Sequence, residues 1–297
     1  MKPFAYVAPA SVDEAVALLA EKGERARPLA GGTDLLVQLR RGRFDLDVVV
    51  DVKRIPELTR IAYDRAEGLT VGAAVTCAVL GEHPEVRGLY PGLLDAASII
   101  GGAAIQGRAT LGGNLGNAAP SGDAIPALIV LGAEAIVAGP DGGRRVPVAG
   151  FCTGPGKTVL RRGELVVAFH VPAPHPRSGA SYVRFIPRGE MDIAVAGVGA
   201  WVALSAGGDT EETSRVEAAR IALAAVAPTP LCVESTGAAL VGRAPVEVAF
   251  EEAAALAREA ARPIDDMRGT LAQRRHLVGV LVKRALRKAV RRALGVS

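Results

Sequence analysis

Leu29-Ala30-Gly31-Gly32-Thr33-Asp34-Leu35 is one of two stretches that organise this chain; the other is Thr110-Leu111-Gly112-Gly113-Asn114-Leu115-Gly116-Asn117. Both combine paired glycines with small hydroxyl or amide side chains, and an apolar helical pattern follows each. Because glycine has no Cβ, its backbone amide can approach a ligand closely. A helix N-terminus behind it favours negative charge. The two stretches therefore predict a site for the two halves of one long phosphate-containing ligand, and a dinucleotide is the natural candidate.

The first stretch also has a simpler interpretation, whereas the second does not. Gly31-Gly32 alone is compatible with a tight strand-to-helix turn in which Thr33 is the N-cap. The segment from Thr110 to Asp123 has no apolar periodicity and is predicted to be a long ordered loop, a type that is usually functional. Neither stretch has the spacing of the Rossmann fingerprint, and neither contains a Walker lysine. The polar side chains of the second segment can donate to phosphate oxygens or, for Asp123, accept from ribose or ribityl hydroxyls; they are Thr110, Asn114, Asn117, Ser121 and Asp123.

Composition limits the classes of function. The chain has 297 residues, of which 49% are hydrophobic, which is enough for two domains with sizeable cores. Its net charge is +4, and its aromatic content of 4% argues against a base-stacking surface for nucleic acid. No apolar run is long enough to span a bilayer, and no secretory signal is visible. We expect no nucleic-acid partner and no integral membrane segment.

Metal-binding and nucleophilic patterns are missing from the sequence. The cysteines, Cys77, Cys152 and Cys232, are far apart, and the four histidines lack metal-ligand spacing. We therefore expect no metal or iron–sulfur cluster in this chain and a reducing, cytoplasmic location. No nucleophile–base set is present either, so we predict no catalytic side chain. If the chain takes part in catalysis, a cofactor supplies the chemistry.

Hydrophobic periodicity predicts an α+β protein in three units. In the first, Ser11 is expected to cap a helix that ends at Gly23. In the second, a helix is expected over 93–104, ahead of the second glycine stretch. A proline-rich linker at 172–176 leads to the third, which is predicted to hold an antiparallel sheet and helices at about 233–241, 247–261 and 270–294. The units cover residues 1–55, 56–175 and 176–297.

The C-terminal helix is basic and amphipathic. Such a helix can contact a membrane or nucleic acid, but more often it forms a solvated face or a salt-bridged contact. Its basic residues are Arg274, Arg275, Lys283, Arg284, Arg287, Lys288, Arg291 and Arg292. The single tryptophan, Trp201, lies in an apolar strand and is expected to belong to the core.

Four segments together resemble the FAD-binding medium subunit of the molybdenum hydroxylases, the family of xanthine and carbon monoxide dehydrogenases. Residues 30–36 resemble its first FAD loop, and residues 110–115 with 123–128 resemble its second. Met191-Asp192-Ile193-Ala194 is similar to the start of one of its strands. Its C-terminal signature resembles Pro263-Ile264-Asp265-Asp266-Met267-Arg268-Gly269 with Arg274-Arg275 and residues 281–286. The resemblance covers nearly the whole chain.

The resemblance implies a fold, a cofactor and partners. The fold is a two-lobed FAD-binding domain of the PCMH (vanillyl-alcohol-oxidase-like) type, followed by a C-terminal antiparallel sheet with helices. FAD lies extended between the lobes, and a positive charge at Arg184 near the ring would stabilise its anionic reduced form. The implied FAD-binding residues are Pro28, Leu29, Ala30, Gly31, Gly32, Thr33, Asp34, Leu35, Thr110, Gly113, Asn114, Asn117, Asp123, Val166 and Arg184.

The implied activity is electron transfer. The medium subunit accepts electrons from a [2Fe–2S] small subunit, a large subunit carries the molybdenum cofactor, and NAD, a quinone or oxygen is the final acceptor. A dimer of heterotrimers is the implied assembly. Two alternatives stay open at this point: a stand-alone flavin oxidase, and a non-enzymatic binding module that uses the basic C-terminal helix.

The sequence departs from the family pattern at several positions. Gln106-Gly107 stands where the family often has Arg-Asn, and Gly116 where a cysteine is common. Cys232 replaces a frequent arginine, and Gln273 a usual tyrosine. These changes affect the expected fine contacts and the substrate subtype more than FAD binding. The cysteine-rich insert of 4-hydroxybenzoyl-CoA reductase is absent, so we do not expect that subtype.

Overall fold

The first lobe is a small parallel sheet with helices beside it. The structure, a computed structural model, describes residues 2–296. The sheet order is β1-β3-β2, with Val7 opposite Val50 and Leu29 opposite Asp51. Its elements are β1 (Ala5–Val7), α1 (Val12–Lys22), β2 (Ala26–Leu29), α2 (Leu35–Arg40) and β3 (Val48–Asp51), with 3₁₀ turns at Gly23–Arg25 and Val52–Arg54.

The predicted ends of α1 are confirmed. The Ser11 hydroxyl accepts a hydrogen bond from the backbone N–H of Glu14 at 3.2 Å, which satisfies one of the free amides of the first turn. Gly23 follows the last turn with a φ of +56°, a value that side-chain-bearing residues avoid. Thr33 is not the cap of α2: Asp34 occupies that position, and its side chain makes no capping bond.

The second lobe is an antiparallel sheet with a helical layer inserted between its strands. The sheet order is β4-β5-β10-β6-β7; one short helix precedes β4, and the other helices lie between β5 and β6 in the chain. The elements, in chain order, are α3 (Pro56–Thr59), β4 (Ile61–Asp64), β5 (Gly68–Gly72), α4 (Cys77–Glu82), α5 (Pro84–Leu89), α6 (Pro91–Ala97), α7 (Ala103–Gln106), α8 (Leu111–Asn117), α9 (Ala124–Val130), β6 (Glu134–Gly139), β7 (Gly142–Pro147), β8 (Cys152–Gly154), β9 (Lys157–Thr158) and β10 (Leu165–Val171), with a 3₁₀ turn at Val148–Gly150.

Two expectations for this lobe are wrong. The helix expected over 93–104 ends at Ala97, because the chain turns at Gly101, whose φ is +65°, before α7 begins. The segment expected to be an irregular loop from Thr110 to Asp123 instead contains α8. Thr110 caps this helix by accepting from the N–H of Gly113 at 2.9 Å, and the cap compensates for the poor helix propensity of the glycines.

The C-terminal domain is an antiparallel sheet in the order β11-β12-β13-β14, with one face covered by long helices. Helix α12 packs on β11 and β12 through Leu281, Val282, Leu286 and Val290, which are fully or almost fully buried. The other face of the sheet meets α6 and α9 of the second lobe. Its elements are β11 (Ser178–Phe185), β12 (Ala196–Leu204), β13 (Val216–Ala224), β14 (Leu231–Cys232), α10 (Glu234–Ala238), α11 (Glu247–Ala260) and α12 (Leu271–Ala293).

Together these units confirm the predicted α+β class, with parallel pairing in the N-terminal sheet and an antiparallel C-terminal sheet. Trp201 is partly buried and packs against the core of the second lobe. Within residues 2–296, the structure has no helix with both the length and the apolar character that crossing a membrane requires.

The close packing of α12 on β11 can be tested at Gly179. A Cβ at this position would lie 2.1 Å from the carbonyl oxygen of Ala289, so Gly179→Ala must push the helix away from the sheet. We expect the free energy of unfolding to fall by about 1–3 kcal/mol, as measured by urea denaturation.

Gly81→Ala is the matched control, because a Cβ there meets no atom within 4 Å and the residue lies in helix α4. The control should be neutral or stabilising by up to about 1 kcal/mol. Equal losses in the two variants would contradict the packing described here.

Candidate functional site

A cleft of about 850 Å³ lies between the first and second lobes. This volume is within the range of about 300–1,000 Å³ that is usual for small-molecule and cofactor sites. Both glycine stretches line it: residues 28–35 from the first lobe and Thr110, Gly112, Gly113, Asn114, Gly116 and Asn117 from the second. The sequence prediction that the two stretches face one site therefore agrees with the geometry of the cleft.

The first glycine stretch presents unpaired backbone amides. Within residues 2–296, the N–H groups of Gly31, Gly32, Thr33 and Asp34 donate to no protein acceptor. Gly32 has a φ of +80°, which turns the chain sharply between β2 and α2. Successive backbone amides in such a turn form a concave anion-binding surface. This stretch therefore supplies the donors that a phosphate group requires.

Gly31 can only be a glycine here. A Cβ on Gly31 would lie 1.9 Å from the carbonyl oxygen of Arg108, which precedes the second stretch. The Arg108 Nε in turn donates to the carbonyl of Gly31 at 3.3 Å. The missing side chain thus lets the backbones of the two lobes meet at the floor of the cleft.

The second stretch contributes differently from the first. The N–H of Gly112 donates to the carbonyl of Ala73 at 3.1 Å, and the N–H of Gly113 donates to the Thr110 hydroxyl. These two amides are therefore already paired within the protein. A Cβ at Gly112 would lie 2.4 Å from the Ala73 carbonyl oxygen, so this glycine serves close helix packing. What α8 offers a ligand is mainly its polar side chains.

Two asparagines of α8 supply side-chain hydrogen-bond donors to the cleft. The side-chain oxygen of Asn114 accepts from the N–H of Ala124 at 3.2 Å, and that of Asn117 accepts from the Gln38 side chain at 2.8 Å. These bonds fix the orientation of both amides. In the described residues neither amide nitrogen donates to the protein, so both are available for phosphate oxygens. The Gln38–Asn117 bond also ties α2 of the first lobe to α8 of the second.

Basic side chains outnumber acidic ones along the cleft, and no sequence motif had indicated them. Arg27 and Arg43 flank the ring of Phe44 at 4.9 and 5.5 Å from its centroid. Such a positive surface attracts phosphate. The basic lining residues are Lys22, Arg27, Arg43, Arg161 and Arg162, and the acidic ones are Glu24, Asp34 and Glu164. In the sequence, the only signal for these basic residues is that Arg27 and Arg43 lie near the first glycine stretch.

Asp123 and Arg184 do not line the cleft, although all the other predicted cofactor residues do. Arg184 donates to Asp123 at 2.5 Å, and the Tyr182 hydroxyl donates to the same carboxylate at 2.8 Å. Burial raises the pKa of Asp123 to about 6, against the opposing effects of Arg184 and Tyr182. The predicted residues that line the cleft are Pro28, Leu29, Ala30, Gly31, Gly32, Thr33, Asp34, Leu35, Thr110, Gly113, Asn114, Asn117 and Val166.

The Asp123–Arg184 pair still acts on the cleft through the turn at residues 98–102. The Arg184 Nη2 donates to the carbonyl of Ile99 at 2.8 Å, and the next residue, Ile100, lines the cleft. Gln106, one of the departures from the family pattern, donates to the carbonyl of Ser98 at 2.6 Å. Both bonds hold this turn against the cleft wall.

Comparisons with known proteins agree over nearly the whole chain. Residues 2–174 match the family described as FAD binding domain in molybdopterin dehydrogenase, and residues 181–289 match CO dehydrogenase flavoprotein C-terminal domain. The carbon monoxide dehydrogenase medium chain of Hydrogenophaga pseudoflava is 36% identical over 96% of both chains. The xanthine dehydrogenase FAD-binding subunit of Escherichia coli O157:H7 is 33% identical over 98% of this chain and 97% of its own.

Solved structures are similar over the same extent. Reconstituted CO dehydrogenase from Oligotropha carboxidovorans contains a chain that superposes with a TM-score of 0.92 at 32% identity, covering 98% of this chain and 99% of that one. A chain of quinoline 2-oxidoreductase from Pseudomonas putida 86 gives a TM-score of 0.89 at 31% identity, covering 99% of this chain and 100% of that one.

The close approach at Gly31 predicts the behaviour of one substitution. Gly31→Ala should separate the two lobes at the floor of the cleft and move the unpaired amides, so bound FAD should fall at least about tenfold, a loss of about 1.4 kcal/mol in binding. Flavin absorbance of the purified chain after incubation with FAD and desalting measures the effect.

Gly107→Ala provides the control, since a Cβ there meets nothing within 4 Å and the residue does not line the cleft. It should retain the FAD content of the unmodified chain. Full FAD retention by Gly31→Ala would show that the contact with Arg108 does not shape the site.

The buried ion pair predicts a pH-dependent loss of stability. Arg184→Gln leaves the carboxyl of Asp123 buried without its cation, which raises the pKa of Asp123 further. A raised acid pKa in the folded state costs stability as pH increases, so the deficit of the variant should grow from about pH 5 to about pH 8 and reach about 3 kcal/mol. Urea denaturation across that range measures it.

The control for this pair is Arg188→Gln, because Arg188 is 65% exposed and its partner Asp192, which is half-buried, also pairs with Arg268. Exposed pairs contribute little, so the control should differ from the unmodified chain by less than about 1 kcal/mol. A deficit in Arg184→Gln that shrinks as pH rises would overturn the assignment.

Proposed function

This chain belongs to the family of FAD-binding medium subunits of the molybdenum hydroxylases, and we propose on that premise that it transfers electrons from a [2Fe–2S] partner subunit to an external acceptor. The family resemblance seen in the sequence is thereby confirmed, and so is FAD as the cofactor. The chain is a component of an oxidoreductase. NAD, a quinone or oxygen is the proposed acceptor.

The observation that carries the proposal is the row of unpaired amides from Gly31 to Asp34, facing the same cleft as Asn114 and Asn117. These groups suit the diphosphate of FAD, and the surrounding basic side chains offset its charge. Val166 and Leu29 would contact the cofactor along the apolar wall. We keep all fifteen predicted residues as the proposed FAD-binding set.

Asp123 and Arg184 have a modified role in this proposal. Because their polar atoms pair with each other and with Tyr182, they position the turn at residues 98–102 beside the cofactor. A direct contact with the flavin ring, as the resemblance implied, requires these groups to exchange partners when FAD binds.

The residues of this chain bind and orient the cofactor rather than perform the chemistry. When bound, FAD supplies the ability to collect single electrons and release them in pairs. The amides of the first stretch hold its diphosphate, the asparagines fix its position along α8, and the two lobes exclude water from its length. This division of labour explains why no nucleophile–base set was found in the sequence.

The basic-helix alternative has less support. Lys283 and Arg287 pair with Glu247 of α11, and Lys283 also pairs with Glu251. Lys288 and Arg292 both pair with Asp95 of the second lobe. The apolar face of α12 is buried against the sheet. The helix therefore uses much of its charge inside the chain, which leaves less for nucleic acid or a membrane surface.

The word medium in the name of the Hydrogenophaga pseudoflava relative supports a complex of several subunits. We propose a large subunit with a molybdenum cofactor, a small subunit with [2Fe–2S] clusters, a dimer of such heterotrimers and a cytoplasmic location. We also propose that residues 1–55 and 56–175 are the two lobes of the FAD domain and that residues 176–297 form a separate C-terminal domain.

The function can be tested on the complex co-purified with its partner subunits. Carbon monoxide and xanthine are the first substrates to try, because two relatives carry those names. After FAD is removed, substrate should still bleach the absorbance of the [2Fe–2S] partner, while reduction of NAD, a quinone or oxygen should stop. Addition of FAD should restore acceptor reduction in the unmodified complex and in Gly107→Ala, but not in Gly31→Ala.

Acceptor reduction that continues at the same rate without FAD would contradict the proposed electron path. Turnover of substrate by the isolated FAD-loaded chain would instead support the stand-alone oxidase. The two results are distinguishable because the second requires no partner subunit.

A further inference from the structure

A second cavity, of about 480 Å³, lies between the second lobe and the C-terminal domain. It shares no lining residue with the FAD cleft. It is lined by Tyr90 and Pro91 of the second lobe and by the linker residues Pro172 and Pro174. Trp201 on β12 and Arg220 on β13 also line it. The volume is sufficient for a small organic molecule.

Arg220 is the unusual group in this cavity. Its guanidinium lies over the ring of Trp201, 4.1 Å from the centroid, and its Nε donates to the carbonyl of Val130 at 2.6 Å. Within residues 2–296, it forms no ion pair with a carboxylate. Burial lowers the pKa of Arg220, because a charged guanidinium is less stable away from water.

Nearby charges do not neutralise Arg220. Arg292, which also lines the cavity, bonds with both nitrogens to Asp95, at 2.6 and 3.0 Å. Lys288 shares the same carboxylate at 2.8 Å. One carboxylate is therefore shared by two cations, and Arg220 adds a third positive charge. A partly buried cation without a counter-ion favours a ligand that brings a negative charge.

We propose that this cavity binds a small organic carboxylate, with Arg220 as the anion receptor. Within residues 2–296, neither terminal nitrogen of the planar guanidinium donates a hydrogen bond to the protein, and the pair has the fork geometry that matches a carboxylate. The proline and leucine side chains of the walls, with Tyr90, suit an apolar body and favour an organic acid over inorganic phosphate. His175, set edge-on to Trp201 at 6.5 Å, stands at the exposed side of the same pocket.

The FAD-loaded full chain can be titrated with butyrate and, separately, with inorganic phosphate. Isothermal calorimetry measures binding, and fluorescence reports on the pocket directly because Trp201 is the only tryptophan in the sequence. We expect saturable one-site binding of butyrate with a change in Trp201 emission, and weaker binding of phosphate. Absence of saturation by butyrate, or tighter binding of phosphate, would overturn the proposal.

Variants locate the site. Arg220→Gln should weaken butyrate binding by about tenfold or more, whereas Arg220→Lys, which keeps the charge but loses the fork, should show a smaller loss. Arg215→Gln is the matched control, since Arg215 is exposed and bonds only to backbone carbonyls of Glu212 and Ser214 in the described residues. It should bind butyrate normally.

Circular dichroism melts and FAD absorbance confirm that each variant is folded. Equal affinity in Arg220→Gln and the unmodified chain would place the carboxylate elsewhere and contradict the proposal. An equal loss of butyrate affinity in both Arg220 variants and in Arg215→Gln would also contradict the proposal. FAD content should not change in any of them, so this result is independent of the electron-transfer function.

Discussion

The contact between Gly31 and the carbonyl of Arg108 is the constraint on which the site depends. It brings the backbone of the first lobe against the chain segment that leads into α8. Next to this contact, the amides of Gly32, Thr33 and Asp34 have no acceptor within residues 2–296. A side chain at Gly31 would separate the two surfaces that share the cleft. The first glycine stretch therefore both contacts the second lobe and lines the cleft.

The C-terminal domain is held on the second lobe by two carboxylates that share β11 as their target. Asp95 accepts from the N–H of Tyr182 at 3.1 Å and pairs with Lys288 and Arg292, and Asp123 accepts from the Tyr182 hydroxyl. Both carboxylates are largely buried, so these bonds are stronger than exposed pairs. The consequence is a fixed position of the C-terminal domain relative to the turn at residues 98–102, and so to the cleft.

Much of this architecture could be predicted from the sequence because local signals agreed with the fold. Ser11 and Gly23 marked the ends of α1, and the apolar period of 271–293 marked α12. Helix α8 could not be predicted, since its glycines have poor helix propensity and its stability comes from the Thr110 cap and from packing on Ala73. The break after Ala97 depends on the positive φ of Gly101, which the apolar pattern does not reveal.

The sequence reveals the glycine pairs that line the cleft, but it does not reveal the contacts that long side chains make around it. Glycine pairs are visible in a sequence, and both lie at the cleft. The pairing of Asp123 with Arg184 was not visible, because it joins α9's N-terminus to a strand in another domain. Arg220 likewise gains its role only when β13 meets Trp201 and the proline linker. Contacts between distant segments of this kind need the fold before they can be identified.

We propose above all that backbone amides of residues 31–34 hold the diphosphate of FAD. An experimental structure of the chain with FAD bound tests it most directly. We expect diphosphate oxygens within hydrogen-bonding distance of at least two of these amides and of the side-chain nitrogen of Asn114 or Asn117. A diphosphate bound away from these amides, with the first stretch contacting only solvent or protein, would contradict it.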